Sequence, residues 1–192
     1  MSAAAVLPTG AIVLVDTNVF FAIGGPSNAK HRRFRNAIRT AEASCRLPQR
    51  VVTELGGPET DRIEAALSAG WVEIADPLDQ TDGEVVAATD IARRTIASET
   101  GRPKHEIEKA DTTLAGLAIQ FTRYRSEPVV VVTNDIPARA GVEHAVTASG
   151  HGDDVDVCEI AEVIGDDAGD PIRLLCPYDT PLTTVRRPPR RL

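Results

Sequence analysis

Apolar residues recur along this chain in two rhythms. Ala11-Ile-Val-Leu-Val15 and Val129-Val-Val-Val132 are unbroken runs without polar alternation, the pattern of strands buried on both faces of a parallel sheet. Between them apolar positions return every three or four residues. Phe34, Ile38 and Ala41 predict a helix over 28–43, with Ser27 or Asn28 as its cap after Gly24-Gly25-Pro26. A short apolar segment around Cys45 to Leu47 leads to Pro48, which opens a brief helix carrying Val51, Val52 and Leu55 until Gly56-Gly57-Pro58 ends it. Residues 60–69 read as another helix closed by Gly70, and Trp71-Val-Glu-Ile-Ala75 alternates as a strand suited to an edge.

Two long helical patterns follow. The first carries Val85, Val86, Ala88, Ile91 and Ile96 and stops at Gly101-Arg-Pro103; the second spans about 104–124 with Ile107, Ala110, Leu114, Leu117, Ala118 and Phe121. Past Val132 the pattern predicts a brief helix over 137–140, a last strand over 144–147, and an acidic helix with loops over 151–170. The Pro/Arg-rich end from Pro181 reads as unstructured. Strands alternating with helices imply right-handed crossovers and a three-layer α/β/α fold around a mostly parallel sheet, with its site at the carboxyl ends of the strands.

Composition narrows the class. At 192 residues, 42% hydrophobic and 26% charged, the chain suits a single folded core, and with four Phe, two Tyr and one Trp that core is built from Ala, Val, Ile and Leu. Three cysteines without a C-x-x-C pair suit a reduced, cytoplasmic setting, and no apolar run reaches a membrane span, so no membrane partner is expected. The net charge of −7 argues against a polyanionic partner when taken as an average. Its distribution argues otherwise. Residues 30–50 hold Lys30, Arg32, Arg33, Arg35, Arg39, Arg46 and Arg50 against Glu42 alone, and Arg186, Arg187, Arg190 and Arg191 crowd the end.

Four carboxylates stand at junctions of apolar and polar surface. Asp16 and Asp135 follow the two buried-type strands; if these are parallel neighbours, their tips lie about 5 to 10 Å apart at a strand spacing of about 4.8 Å. Asp111 sits among Ala110, Leu114 and Ala115, and Glu54 beside Val51 and Leu55. Taken singly, each has an ordinary reading: a strand-end Asp as a helix cap, a helical acid at the wet edge. Taken together, acids near a core without arginine call for a cation, and Mg²⁺ or Mn²⁺ accepts such hard oxygen ligands. No phosphate-binding glycine loop or nucleophile elbow occurs.

Val13-Leu-Val-Asp16-Thr-Asn18, Val51-Val-Thr-Glu54-Leu, Lys109-Ala-Asp111-Thr-Thr-Leu-Ala115 and Val130-Val-Val-Thr133-Asn-Asp135 resemble, in order and spacing, the four acidic motifs of the PIN domain. The resemblance covers about residues 11–148. It implies a PIN-like nuclease domain over 1–150; residues 151–192 exceed a minimal PIN domain and read, from their own composition, as an acidic extension with a basic, flexible tail. The resemblance further implies a metal-dependent ribonuclease, acting as the toxin of a toxin–antitoxin pair or in RNA maturation, with an antitoxin protein and a homodimer as candidate partners. Carried over by position, Asp16, Glu54, Asp111 and Asp135 would be the metal ligands and catalytic acids, with Asn18, Thr133 and Asn134 as polar support. Lys30, Arg32, Arg33, Arg35 and Arg39 would meet RNA backbone. Two other readings stay open: a PIN-like scaffold that binds without cutting, and a haloacid-dehalogenase-type phosphatase, which would want an aspartate where Asn18 stands.

Overall fold

A computed structural model describes residues 7–165 except Glu108. Five parallel strands form the centre: β1 (Ile12–Val15), β2 (Ser44–Leu47), β3 (Val72–Ile74), β4 (Val129–Val132) and β5 (Val155–Cys158), in the order β3-β2-β1-β4-β5. β1 and β4 are neighbours in register, Ile12 opposite Val129 and Val15 opposite Val132. Their unbroken apolar runs arise because both faces are covered. Val13, Val15, Val130 and Val132 point into one apolar cluster, Ile12, Leu14, Val129 and Val131 into the other.

On the first face lie α1 (Thr17–Ile23), α2 (Ala29–Thr40), α3 (Gln49–Glu54), α4 (Asp61–Ser68) and α8 (Ile160–Ile164), which contribute Phe20, Phe34, Ile38, Val51, Val52, Ile63 and Ile160. On the second lie α5 (Gly83–Thr100), α6 (Lys109–Tyr124) and α7 (Ile136–Ala148), which contribute Val85, Ala88, Leu114, Leu117, Val142 and Ala145. The three-layer α/β/α architecture is the one expected from the alternation of elements, and the sheet is entirely rather than mostly parallel.

Local readings required four corrections. Residues 17–23 form a helix, α1, which the sequence pattern did not single out. The pattern over 104–124 is split, with a 3-10 turn at Lys104–Glu106 ahead of α6. The brief helix at 137–140 and the strand at 144–147 are one helix, α7, whose buried Ala138, Gly141, Val142, Ala145 and Val146 repeat at helical spacing. Within the acidic stretch lies β5, an outer strand with Val155 and Cys158 buried and Asp156 exposed, so the sheet continues past residue 150. The rest of that stretch beyond residue 165, and the Pro/Arg-rich end, lie outside the described residues.

Candidate active site

The tips of β1 and β4 converge as register demands. Asp16 continues the β1 ladder, its amide donating to Val132 O at 3.1 Å, and then caps α1. Its carboxylate is 2% exposed. Oδ1 accepts from Thr17 N at 2.6 Å; Oδ2 accepts from Asn18 Nδ2 at 2.6 Å and from the hydroxyl of fully buried Thr133 at 2.7 Å. All three donors are neutral.

The same donors knit the strand ends together. Thr133 Oγ1 accepts from Asp135 N at 3.1 Å, Asn18 Oδ1 from Asn134 N at 3.0 Å, and Asn134 Oδ1 from Ile160 N at 3.0 Å. Asn18, Thr133 and Asn134 therefore join the ends of β1, β4 and β5 in one network around the Asp16 carboxylate.

Asp135 is exposed and caps α7, Oδ1 accepting from Ala138 N at 2.7 Å, which leaves Oδ2 open. Glu54, exposed at the end of α3, is tied back by the Thr17 hydroxyl donating to Oε2 at 2.6 Å, 37 positions away in sequence. That bond was not foreseen, because it depends on α1. Asp111 is half-buried in the first turn of α6, a helix packed against α3, β1 and β4.

Electrostatics joins Asp16, Asp135 and Glu54. Burial pushes the Asp16 carboxyl above its ordinary value of 3.8; donation from Thr133 and Thr17 opposes the shift, and the charges of Asp135 and Glu54 add to it. Among the described residues no arginine, lysine or histidine forms an ion pair with Asp16, Glu54 or Asp135. The capping reading holds for both strand-end aspartates, and it holds together with their mutual repulsion.

Residues 9–171 match the family model described as the halobacterial PIN domain. The chain belongs to this PIN-domain family. PIN domains are generally nucleases, and the four acidic motifs of this PIN domain lie at the carboxyl end of the sheet or on helices packed against it. The matched stretch includes β5 and α8. No curated protein and no solved structure matches the chain significantly.

PIN domains typically use divalent metal ions. Among the described residues no three His, Cys, Asp or Glu side chains converge on one point as the side chains stand. The donor chemistry nonetheless fits a hard cation. A buried carboxylate with two anionic neighbours and only neutral hydrogen-bond donors is stabilised by added positive charge, and Asp135 Oδ2 and Glu54 Oε1 carry no hydrogen bond among the described residues.

Lys30, Arg32, Arg33, Arg35 and Arg39 of this PIN domain sit on α2, which packs on α1 and α8. Arg32, Arg33 and Arg39 are exposed; Lys30 and Arg35 are half-buried. Arg32 Nη1 donates to Ser27 O at 2.5 Å, holding the turn before the helix. Two acids of 151–165, Glu159 and Glu162, are tied to the neighbouring helix. Arg139 of α7 pairs with Glu143, Glu159 and Glu162, fastening α8 to the strand end that carries Asp135.

Proposed function

We propose that this PIN domain is a metal-dependent endoribonuclease that hydrolyses RNA phosphodiester bonds, with Asp16, Glu54, Asp111 and Asp135 as the acids that hold Mg²⁺ or Mn²⁺. The observation that carries the reading is the buried Asp16 carboxylate, repelled by Asp135 and Glu54 and fixed by neutral donors. When bound, the metal supplies Lewis acidity toward the phosphate and lowers the pKa of a water. The chain's residues supply order. Thr133, Asn18 and the Thr17 amide hold Asp16 in one orientation, the Thr17 hydroxyl holds Glu54, and the Asn134 bridge keeps the β4 and β5 tips together. Lys30, Arg32, Arg33, Arg35 and Arg39 offer backbone contacts to an RNA that the acids alone would repel. A reduced cytoplasm, an antitoxin protein and a second copy of the chain form the setting that a toxin role would require.

A second reading has its own support. A scaffold that binds RNA or protein without cutting is the alternative, and the exposed Arg32, Arg33 and Arg39 of α2 would serve it equally. The phosphatase reading loses its acid, since Asn18 donates its amide to Asp16. The deciding experiment measures cleavage of labelled RNA with Mn²⁺ or Mg²⁺ and with EDTA. Asp16→Asn and Asp111→Asn are each expected to lose at least about a hundredfold in rate, the loss typical of removing one group that stabilises transition-state charge. Activity surviving in both variants, or persisting in EDTA, overturns the ribonuclease reading; a folded wild type that binds RNA and never cuts it supports the scaffold.

A further inference from the structure

A groove of about 710 Å³ opens beside the acids, between α3, the segment after β3, α5 and α6. That volume falls within the roughly 300–1,000 Å³ of pockets that enclose ligands. Its walls belong to the elements that carry the site. Gln49 and Arg50 begin the helix that ends in Glu54, and Lys109 and Thr112 share the first turn of α6 with Asp111.

We propose that this groove seats the single-stranded RNA flanking the bond to be cut, an assignment that rests on the ribonuclease reading and gives its substrate a path. Three cations line it, Arg50, Arg93 and Lys109, and among the described residues none forms an ion pair. Three carboxylates line it too. Two of these are already engaged: Asp79 accepts from Thr81 N and Oγ1 at 2.9 and 2.6 Å, and Asp90 pairs with Arg94 at 3.2 Å. The Thr81 donors leave Asp79 its charge, so with Asp90 offset by Arg94 the three cations face Asp76 and Asp79, a net balance of one positive charge. Half-buried Leu78 and exposed Val86 add apolar surface to the lining. Lys and Arg that meet phosphates, with guanidinium planes on which unpaired bases can stack, are among the means by which single strands are held.

The groove is also preformed. Gln120 fixes the segment after β3 to α6, its Oε1 accepting from Asp79 N at 2.7 Å and its Nε2 donating to Pro77 O at 3.1 Å. Tyr124 donates its hydroxyl to Asp82 at 2.7 Å one turn further on. This wall lies on the sheet face opposite α2, so the groove and the α2 arginines are separable surfaces.

The test uses full-length protein carrying Asp16→Asn, with binding of fluorescein-labelled U10 RNA followed by anisotropy across a salt series. Adding Arg93→Glu and Lys109→Glu is expected to weaken binding at least tenfold. Arg93→Gln with Lys109→Gln is expected to lower the slope of log affinity against log salt by about 1.4, at about 0.7 for each phosphate no longer neutralised. Thermal unfolding checks that each variant folds, the glutamine pair standing in if the glutamate pair does not. Affinity within twofold of the parent overturns the groove, as does an Arg32→Glu, Arg33→Glu variant that accounts for all the binding. A groove that takes an acidic peptide and leaves U10 unbound overturns it in favour of a protein segment. Failure of the ribonuclease reading is separate: it shows as undiminished cleavage in Asp16→Asn while the binding loss persists.

Discussion

Asp16 carries its charge against resistance. Three neutral donors favour the carboxylate, whereas burial and the charges of Asp135 and Glu54 oppose it, and the balance lies above 3.8. The folded protein therefore holds this proton more tightly than the unfolded chain. The associated stability is fully present below the unfolded pKa and is lost as pH rises through the folded one. Asp16→Asn has no such titration. Its stability relative to wild type is expected to climb between pH 3 and pH 7, by about 1.4 kcal/mol for each tenfold difference in proton affinity between the folded and unfolded chains. Urea unfolding in EDTA measures the difference; a flat or falling difference refutes this account of Asp16. Mn²⁺ at pH 7 is expected to narrow it. At this scale Asn18, Thr133 and Asn134 entered through the resemblance to PIN motifs, and the hydrogen bonds they make around Asp16 are a feature of the folded chain that no local pattern states. The Thr17 contact to Glu54 was not legible either, because no local pattern reports a bond across 37 positions.

The helices that hold these residues depend on close approach as much as on apolar spacing. Gly141 lies on α7 where it crosses α5, and a Cβ there would stand 2.9 Å from Cγ1 of Ile96 and 3.3 Å from Ala92 O. Gly141→Ala gains about 1 kcal/mol of helix propensity. It loses about 1–3 kcal/mol to overpacking against a β-branched side chain that cannot easily rotate away. The net expectation is a destabilisation of about 1 kcal/mol, read from the urea midpoint; a more stable variant would show that the α5–α7 contact is looser than described. The same glycine explains a misreading. Taken locally, Gly141 ends a helix at Ala140, whereas packing keeps α7 continuous through it. β5 was hidden differently: a strand at the outer edge tolerates Asp156 on its open side, so its composition resembles an acidic loop. β1 and β4, apolar on both faces, were legible because nothing but a central parallel strand needs that pattern.

Across the whole molecule, a net charge of −7 makes two equilibria respond oppositely to salt. Folding draws the carboxylates together, and their repulsion extends about 10 Å at 0.1 M salt and about 3 Å at 1 M. Ion pairs weaken over the same range, including those joining Arg139 to Glu143, Glu159 and Glu162, yet pairs this exposed contribute at most about 1 kcal/mol each. Acids outnumber bases 28 to 21, so the repulsive term is the larger. From 0.1 to 1 M NaCl the protein is therefore expected to gain about 1 kcal/mol of stability, the size of one exposed pair removed from repulsion. Affinity for RNA falls over the same interval as Lys and Arg contacts give way to counterions. Urea titrations and anisotropy on one preparation measure both. A midpoint that falls with salt would mean that the Arg139 cluster and its like outweigh the repulsion; RNA affinity indifferent to salt would mean that neither α2 nor the α3–α5–α6 groove meets phosphate. The average charge is thus a statement about stability, and the placement of the cations is a statement about the partner.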